Sequence, residues 1–185
     1  MAKTERQPIM SEDEEKFMAY YGLIQWTQGV IFQSKRVISA TEKLLSNAGS
    51  NRELYTENLY LMHCEHHYFV IATFKLFKYY KWSKQHNLFP NVDFSELDSV
   101  NYQDIKDLRN MREHVVEYFQ GDGNAKMRWW IETSDFKADA SSCVGTLIGG
   151  RLDYVAFTEI ANKILPELLK EPYPYLPSPL TNLAS

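Results

Sequence analysis

The chain has few cysteines and no long apolar run. Its 185 residues include only two cysteines, Cys64 and Cys143, which are far apart. This spacing does not fit a disulfide framework or a zinc site built from thiolates. The segment before Glu15 is polar and acidic, and no apolar run approaches the length of a membrane span. We therefore expect a reduced, cytoplasmic protein that does not associate with a membrane.

The chain also has no excess of basic residues. Lysine and arginine number 20 against 24 acidic residues, which gives a net charge of −4. Proteins dedicated to duplex binding usually carry a basic footprint, so this balance argues against that class but not against a local basic patch. What the chain has instead is aromatic residues: 12 Tyr, 10 Phe and 4 Trp predict either a core built from rings or an adhesive partner surface.

Helical periodicity dominates the first part of the chain. Ser11 and Glu14 have the spacing of a capping box, and they predict a long helix that ends near Leu45. A second long helix is predicted from about Arg52 to His86, with an apolar stripe at the helical period. Two long helices joined by a short polar turn should form an antiparallel hairpin.

The second part of the chain mixes helical and strand signals. A third helix is predicted over about 102–120. A fourth, which Asp153 can cap, is predicted to about Lys170, with Pro166 marking a kink or an early end. Between them, 127–132 and 143–148 are β-prone and predict a small hairpin. The expected fold is mainly α: a four-helix bundle with two long N-terminal helices and a small β-hairpin insert before the last helix.

The expected organisation is a single domain with two flanking segments. Residues 1–10 are predicted to form a flexible arm, residues 11–170 one helical domain, and residues 171–185 a proline-rich tail. Adjacent Trp129 and Trp130 should point to opposite sides of the strand insert. One of them then packs inward, and the other meets solvent, a ligand or a partner, as in a lid or a dimerisation element.

The hexapeptide 109–114, with the sequence RNMREH, carries the clearest chemical signal. Arg109 supplies a fixed cation, Asn110 a hydrogen-bonding amide, and His114 a side chain of a type that titrates near neutral pH. These groups suit a phosphodiester. Arg109 lies about 140° from His114 around a regular helix, so the arginine must wrap round, the helix must begin late, or another helix or subunit must complete the site. In the ordinary alternative, Arg109 pairs with Glu113 on a solvated helix border.

The same hexapeptide resembles the R-x4-6-H motif of the HEPN superfamily, including the Asn that often follows the Arg. The resemblance implies a helical bundle, commonly dimeric, and in many members a metal-independent RNA endonuclease of toxin–antitoxin or defence systems. The family's catalytic roles fall on Arg109, Asn110 and His114, with no cofactor. The expected partners are a second copy of the chain, RNA, and an antitoxin or regulatory protein. Other members have lost catalysis, so the alternative is a non-catalytic, dimeric binding or regulatory module.

A histidine cluster lies on the second predicted helix. His63 and His67 are four residues apart and can bind a metal from one helix face if a third ligand is supplied. His66 falls in the middle of the apolar stripe, which indicates a buried polar layer, and we expect that layer rather than a metal. In a third interpretation the histidines line the same cleft as His114. The full set of expected cleft-lining residues is His63, His66, His67, Asp107, Glu113 and Tyr118.

Overall fold

The computed structural model describes residues 10–49, 51–120 and 129–172, and 70% of these residues are helical. They form six α-helices: α1 (Glu12–Ser46), α2 (Arg52–Gln85), α3 (Ser95–Asp98), α4 (Tyr102–Glu113), α5 (Val115–Gln120) and α6 (Tyr154–Lys170). The prediction of a mainly α fold with two long N-terminal helices is confirmed. Among the described helices, none has both the length and the apolar character that crossing a membrane requires. Most of the predicted N-terminal arm and of the C-terminal tail lies outside the described residues.

The strand insert between α5 and α6 contains five short strands among its described residues. They are β1 (Trp130–Glu132), β2 (Lys137–Asp139), β3 (Cys143–Val144), β4 (Leu147–Ile148) and β5 (Leu152–Asp153). β1 pairs with β2, and β3, β4 and β5 form a separate antiparallel sheet. The expectation of a single hairpin is therefore wrong. Gly145, with φ +59°, makes a turn that divides the segment predicted as one strand over 143–148.

The hairpin of long helices begins and ends as predicted. The Ser11 side chain accepts a hydrogen bond from the Glu14 backbone N–H, and the Glu14 carboxylate accepts one from Ser11 N at 2.7 Å, which completes the capping box. Asn51 caps α2 by accepting from Glu53 N at 2.8 Å. Gly22 is buried where the Tyr79 ring of α2 crosses α1, and a Cβ atom at this position would collide with that ring.

The predicted third helix is wrong in its continuity. α4 ends at Glu113, His114 departs from helical geometry with φ −115° and ψ 36°, and α5 starts at Val115. The backbone N–H of His114 still donates to the carbonyl of Asn110 at 3.0 Å. The angle expected between Arg109 and His114 on a regular helix therefore no longer applies.

Two smaller differences from the predicted fold concern α6 and α3. α6 continues past Pro166 to Lys170, so an early end at the proline is wrong, while the cap at Asp153 is confirmed by hydrogen bonds from Val155 N and Ala156 N. The short helix α3, in the segment that joins α2 to α4, was not predicted.

Aromatic contacts join the helices into one core. Phe157 of α6 packs on Phe69 and Phe77 of α2, with ring centroids 6.5 and 5.8 Å apart, and Tyr102 of α4 stacks on Phe74 at 6.1 Å. The insert reaches α4 through a tight turn at Gly149, where φ is +58° and a Cβ atom would collide with the Leu108 side chain. The insert is thereby held against the C-terminal part of α4, next to the hexapeptide.

The tryptophan pair behaves as expected. Trp129 is 7% exposed and its ring lies 5.5 Å from that of Tyr118, whereas Trp130 is 54% exposed. One ring therefore anchors the insert to α5, and the other is accessible to solvent.

Candidate functional site

Arg109 is engaged by its neighbours on α4. It forms an ion pair with Glu113, as the ordinary alternative expected, and its Nη1 donates to Oδ1 of Asn110 at 2.9 Å. The guanidinium carbon also lies 5.2 Å from the centre of the Phe74 ring, a cation–π contact. Arg109 and Asn110 are therefore joined, and any phosphate at Arg109 must compete with the carboxylate of Glu113.

His114 stands at the interruption between α4 and α5. Its side chain is 55% exposed, and Nδ1 lies 3.3 Å from Oε1 of Glu117, whose carboxylate is equally accessible. Because the imidazole is not sealed in the core, it can meet a substrate or a second protein surface. This exposure is the condition that a catalytic role for His114 requires.

The remaining predicted cleft residues do not form one cleft with His114. Asp107 is buried and accepts a hydrogen bond from Gln103 Nε2 at 2.8 Å. Tyr118 packs on the insert through Trp129, and His66 is buried beside Tyr154 with ring centroids 6.1 Å apart. His66 and Asp107 are therefore interior side chains in this structure, and their predicted place in a cleft with His114 stays a prediction.

His63 and His67 do line a pocket, but His114 is not among its lining residues. The pocket has a volume of about 340 Å³ and lies between α2, the α4–α5 junction and the insert. Its lining residues are Tyr60, His63, His67, Arg112, Val115, Trp129 and Ser141. The side chain of His114 instead contacts Glu117, one turn further along the chain.

Arg112 is a residue of this pocket that the sequence patterns failed to single out. Its Nε donates to the carbonyl of Ala140 at 2.8 Å and its Nη2 to the carbonyl of Ser141 at 3.1 Å. Burial lowers the pKa of Arg112 to about 10, which still leaves it cationic near neutral pH. The missed signal was angular: Arg112 lies about 40° from Leu108 around the helix, inside the apolar face.

The three histidines share an environment that disfavours their protonation. Burial is the main cause that lowers the pKa of His63 and His67, and the Arg112 cation lowers both further. A backbone hydrogen bond with Ser141 opposes this shift in His63, as does Glu113 in His67. Burial lowers the pKa of His66 to about 4. The cluster is therefore mostly uncharged near pH 7.

A thiol nucleophile does not fit this region. Burial raises the pKa of Cys143 to about 11, although the nearby Arg112 acts in the opposite direction. The thiol is therefore protonated near neutral pH, and a protonated thiol is a poor nucleophile. Cys64 and Cys143 are both free cysteines, as their separation in the sequence indicated.

Metal binding by the histidine pair lacks a further ligand within the described part of the chain. No three side chains of histidine, cysteine, aspartate or glutamate come together there in an arrangement that could hold a metal ion. His63 and His67 therefore have no third protein ligand among residues 10–49, 51–120 and 129–172.

No family model, curated protein or solved structure matches this chain. Its function must therefore be inferred from its own residues. The described residues offer two neighbouring polar features: the hexapeptide with its exposed His114, and the pocket lined by His63, His67 and Arg112.

Proposed function

We propose that the chain is a HEPN-like four-helix bundle that acts as a metal-independent RNA endonuclease in the cytoplasm, as a toxin or defence component. The observation that carries this proposal is the position of His114: its imidazole is 55% exposed at the break between α4 and α5, and the same hexapeptide holds the joined side chains of Arg109 and Asn110. An accessible imidazole with an arginine and an amide in the same short segment suits a phosphodiester substrate.

In the proposed reaction, His114 accepts the proton of a ribose 2′-hydroxyl while the 2′-oxygen forms a bond to the neighbouring phosphorus. The bond from phosphorus to the 5′-oxygen breaks, and the leaving oxygen takes a proton from the imidazolium of a second protomer. The products are a 2′,3′-cyclic phosphate and a 5′-hydroxyl. Because Oδ1 of Asn110 accepts from Arg109, its amide nitrogen is the group that donates to the phosphate.

Arg109 has the role of stabilising the charge that gathers on the phosphorane oxygens. In the free protein this cation is held by Glu113, so the entering phosphate displaces the carboxylate. A homodimer would bring two copies of the hexapeptide to one RNA strand. It would also supply the second imidazole that the proton balance requires. An antitoxin or regulatory protein is a further proposed partner.

Cleavage of mixed RNA in the presence of a chelator tests this function. Wild-type protein should cleave, and His114→Ala and Arg109→Ala should each reduce the rate by at least about a hundredfold. His86→Ala is the matched control, because His86 lies at the far end of α2 near Glu15 and should leave the rate unchanged. Equal cleavage by all four proteins would indicate a contaminating nuclease and would refute the assignment.

A non-catalytic, dimeric binding or regulatory module is the second candidate. The observation that favours it is a set of large exposed apolar side chains on the two long helices, which a partner could cover. They include Phe32, Ile38, Leu45, Tyr60 and Tyr68. A folded, dimeric wild-type protein that cleaves no RNA under any of these conditions would favour this module over the nuclease.

A further inference from the structure

The pocket lined by His63, His67 and Arg112 holds more hydrogen-bonding capacity than the fold uses. We propose that it binds the phosphate group of a small phosphorylated molecule, with Arg112 as the cationic anchor and His63 and His67 as flanking donors. None of Arg109, Asn110 and His114 lines this pocket, and the proposal does not depend on the nuclease activity proposed for them.

The first argument is the charge of Arg112. A cation that is largely removed from water normally pairs with a carboxylate, because an unpaired buried charge is costly. Within residues 10–49, 51–120 and 129–172, no carboxylate lies within ion-pair distance of the Arg112 guanidinium. Asp139 acts on Arg112 only from beyond that distance, where it raises the pKa of the guanidinium against the effect of burial, so an anion in the pocket would supply a direct counter-charge.

The second argument is the unused donors of the same side chain. A guanidinium has five N–H groups in a planar fork. Arg112 uses two of them, on the carbonyls of Ala140 and Ser141, and the remaining three have no acceptor among the described residues. The two carbonyls fix the plane of the guanidinium, so its free edge is oriented for a planar or tetrahedral oxyanion.

The nearest carboxylates are already occupied. Oδ1 of Asp139 accepts from Ser141 N at 2.7 Å and from Ser142 N at 2.9 Å, so this group orders the turn after β2 rather than pairing with Arg112. Glu113, the acid closest to His67, is paired with Arg109. Neither carboxylate therefore serves as a direct counter-ion of Arg112.

The histidines supply directional contacts in place of further charge. Each neutral imidazole presents one N–H donor and one acceptor nitrogen. Both rings line the pocket on the same side of α2, so their nitrogens are placed to contact a ligand there. This combination of one fixed cation and two adaptable imidazoles fits a phosphate better than a carboxylate, because a phosphate presents three terminal oxygens.

The size and walls of the pocket indicate a phosphate that carries an organic group. A volume of about 340 Å³ lies near the lower end of small-molecule sites and exceeds what a bare phosphate needs. Tyr60, Val115 and Trp129 form apolar wall beside the polar groups. A flat group such as a nucleobase could lie against these side chains.

Calorimetric titration of the full chain at constant ionic strength tests the proposal with three probes: inorganic phosphate, adenosine 5′-monophosphate and adenosine. The phosphate-bearing probes should bind and adenosine should not. Tighter binding of the monophosphate than of phosphate identifies a phosphorylated small molecule as the ligand. The reverse order supports the phosphate site but identifies the free ion as its source.

Two variants and one control decide which residues are responsible. Arg112→Met should abolish phosphate binding, and the double variant His63→Asn/His67→Asn should weaken it by at least about tenfold. The double variant keeps the hydrogen bonds of Arg112 to the insert, so it decides the question even if Arg112→Met does not fold. His86→Asn, outside the pocket, should bind like wild type. Absence of phosphate binding by the folded wild-type protein, or unchanged affinity in the double variant, would overturn the proposal.

Discussion

The two sides of α2 differ in whether their buried polar groups have hydrogen-bond partners. Glu65 and His66 are neighbours in the sequence and are both almost fully buried, at 3% and 1% exposure. Glu65 faces α1, where every part of its carboxylate is engaged. His66 faces α6 and the insert, where neither ring nitrogen has a hydrogen-bond partner among the described residues.

On the side of α2 that faces α1, the polar groups form hydrogen bonds with one another. Arg36 donates from Nε and Nη2 to the two carboxylate oxygens of Glu65, at 2.9 and 2.6 Å, and Gln33 donates to the same carboxylate. The hydrogen bonds from Arg36 are the main cause that holds the pKa of Glu65 below its usual range. This cluster joins two helices through hydrogen bonds to both oxygens of the buried carboxylate, as expected of a structural contact.

On the opposite side of α2 the polar groups are only partly hydrogen-bonded. Among the described residues, neither ring nitrogen of His66 has a partner, and the Arg112 guanidinium has unused donors and no carboxylate within ion-pair distance. His63 and His67 line a pocket. Folding alone does not favour such an arrangement, since each unmet polar group lowers stability. This difference is consistent with a structural contact between α2 and α1, and it is the basis for proposing a ligand site where α2 faces α4 and the insert.

The largest expected effect follows from removing the ion pair between α1 and α2. Arg36→Met leaves the carboxylate of Glu65, which is 3% exposed, with only Gln33 as a partner, and should therefore lower the free energy of unfolding. Urea denaturation measures this change. The matched control is Lys35→Met, which removes an exposed cation from the same helix and should change stability by less than about 0.5 kcal/mol. Equal effects of the two substitutions would show that the Arg36 ion pair is not structural.

The next largest effect is the dependence of stability on pH that arises from His66. The pKa of His66 is about 4 in the folded chain and near 6.5 when unfolded, so only the unfolded chain takes up this proton between those values. Stability from His66 is therefore present above the unfolded pKa and is lost as pH falls toward the folded one. Between about pH 7 and pH 5 we expect a loss of about 2 kcal/mol, measured by urea denaturation at each pH.

Other groups contribute to the same profile in known directions. His63 and His67, whose pKa values are also lowered by burial, add losses of the same sign. Glu65, whose pKa is lowered, loses its contribution only at more acidic pH, as its carboxylate becomes protonated in the folded state. A stability that stays constant from neutral pH to about pH 5 would contradict the burial of the histidine cluster.

The smallest expected effect is an increase in stability rather than a loss. His66→Leu replaces an unpartnered imidazole with an apolar side chain of similar size, and should raise the free energy of unfolding by about 1 kcal/mol. The thermal midpoint should rise by a few degrees. The acid sensitivity should also become smaller. The adjacent Glu65→Leu should instead destabilise, because it removes the carboxylate that joins Arg36 to α2. Destabilisation by both substitutions would show that His66 has a partner after all.

Much of the helical scaffold could be predicted from the sequence. The capping box at Ser11, the cap at Asp153 and the helical period of α1 and α2 are local signals, and local signals do not depend on distant partners. The break at His114 and the division of the insert into two sheets were missed. Both lie where α4 meets the insert, through contacts such as that of Arg112 with Ala140, and sequence periodicity does not report such contacts.

The candidate site could be predicted only in part. The sequence predicted a role for Arg109, Asn110 and His114 that stays a prediction, and it grouped His63 with His67, which do line one pocket. It did not indicate that Arg112 lines the same pocket. Arg112 was overlooked because its hydrogen-bond acceptors, the carbonyls of Ala140 and Ser141, lie in the insert, far along the chain.

The measurement that tests the proposed chemistry most directly is the phosphorus NMR spectrum of RNA fragments after cleavage in chelator. The proposed mechanism predicts a 2′,3′-cyclic phosphate resonance with wild-type protein, and none with His114→Ala. A fragment that ends in a 5′-phosphate, or the same cyclic product from His114→Ala at the wild-type rate, would contradict the proposed role of His114.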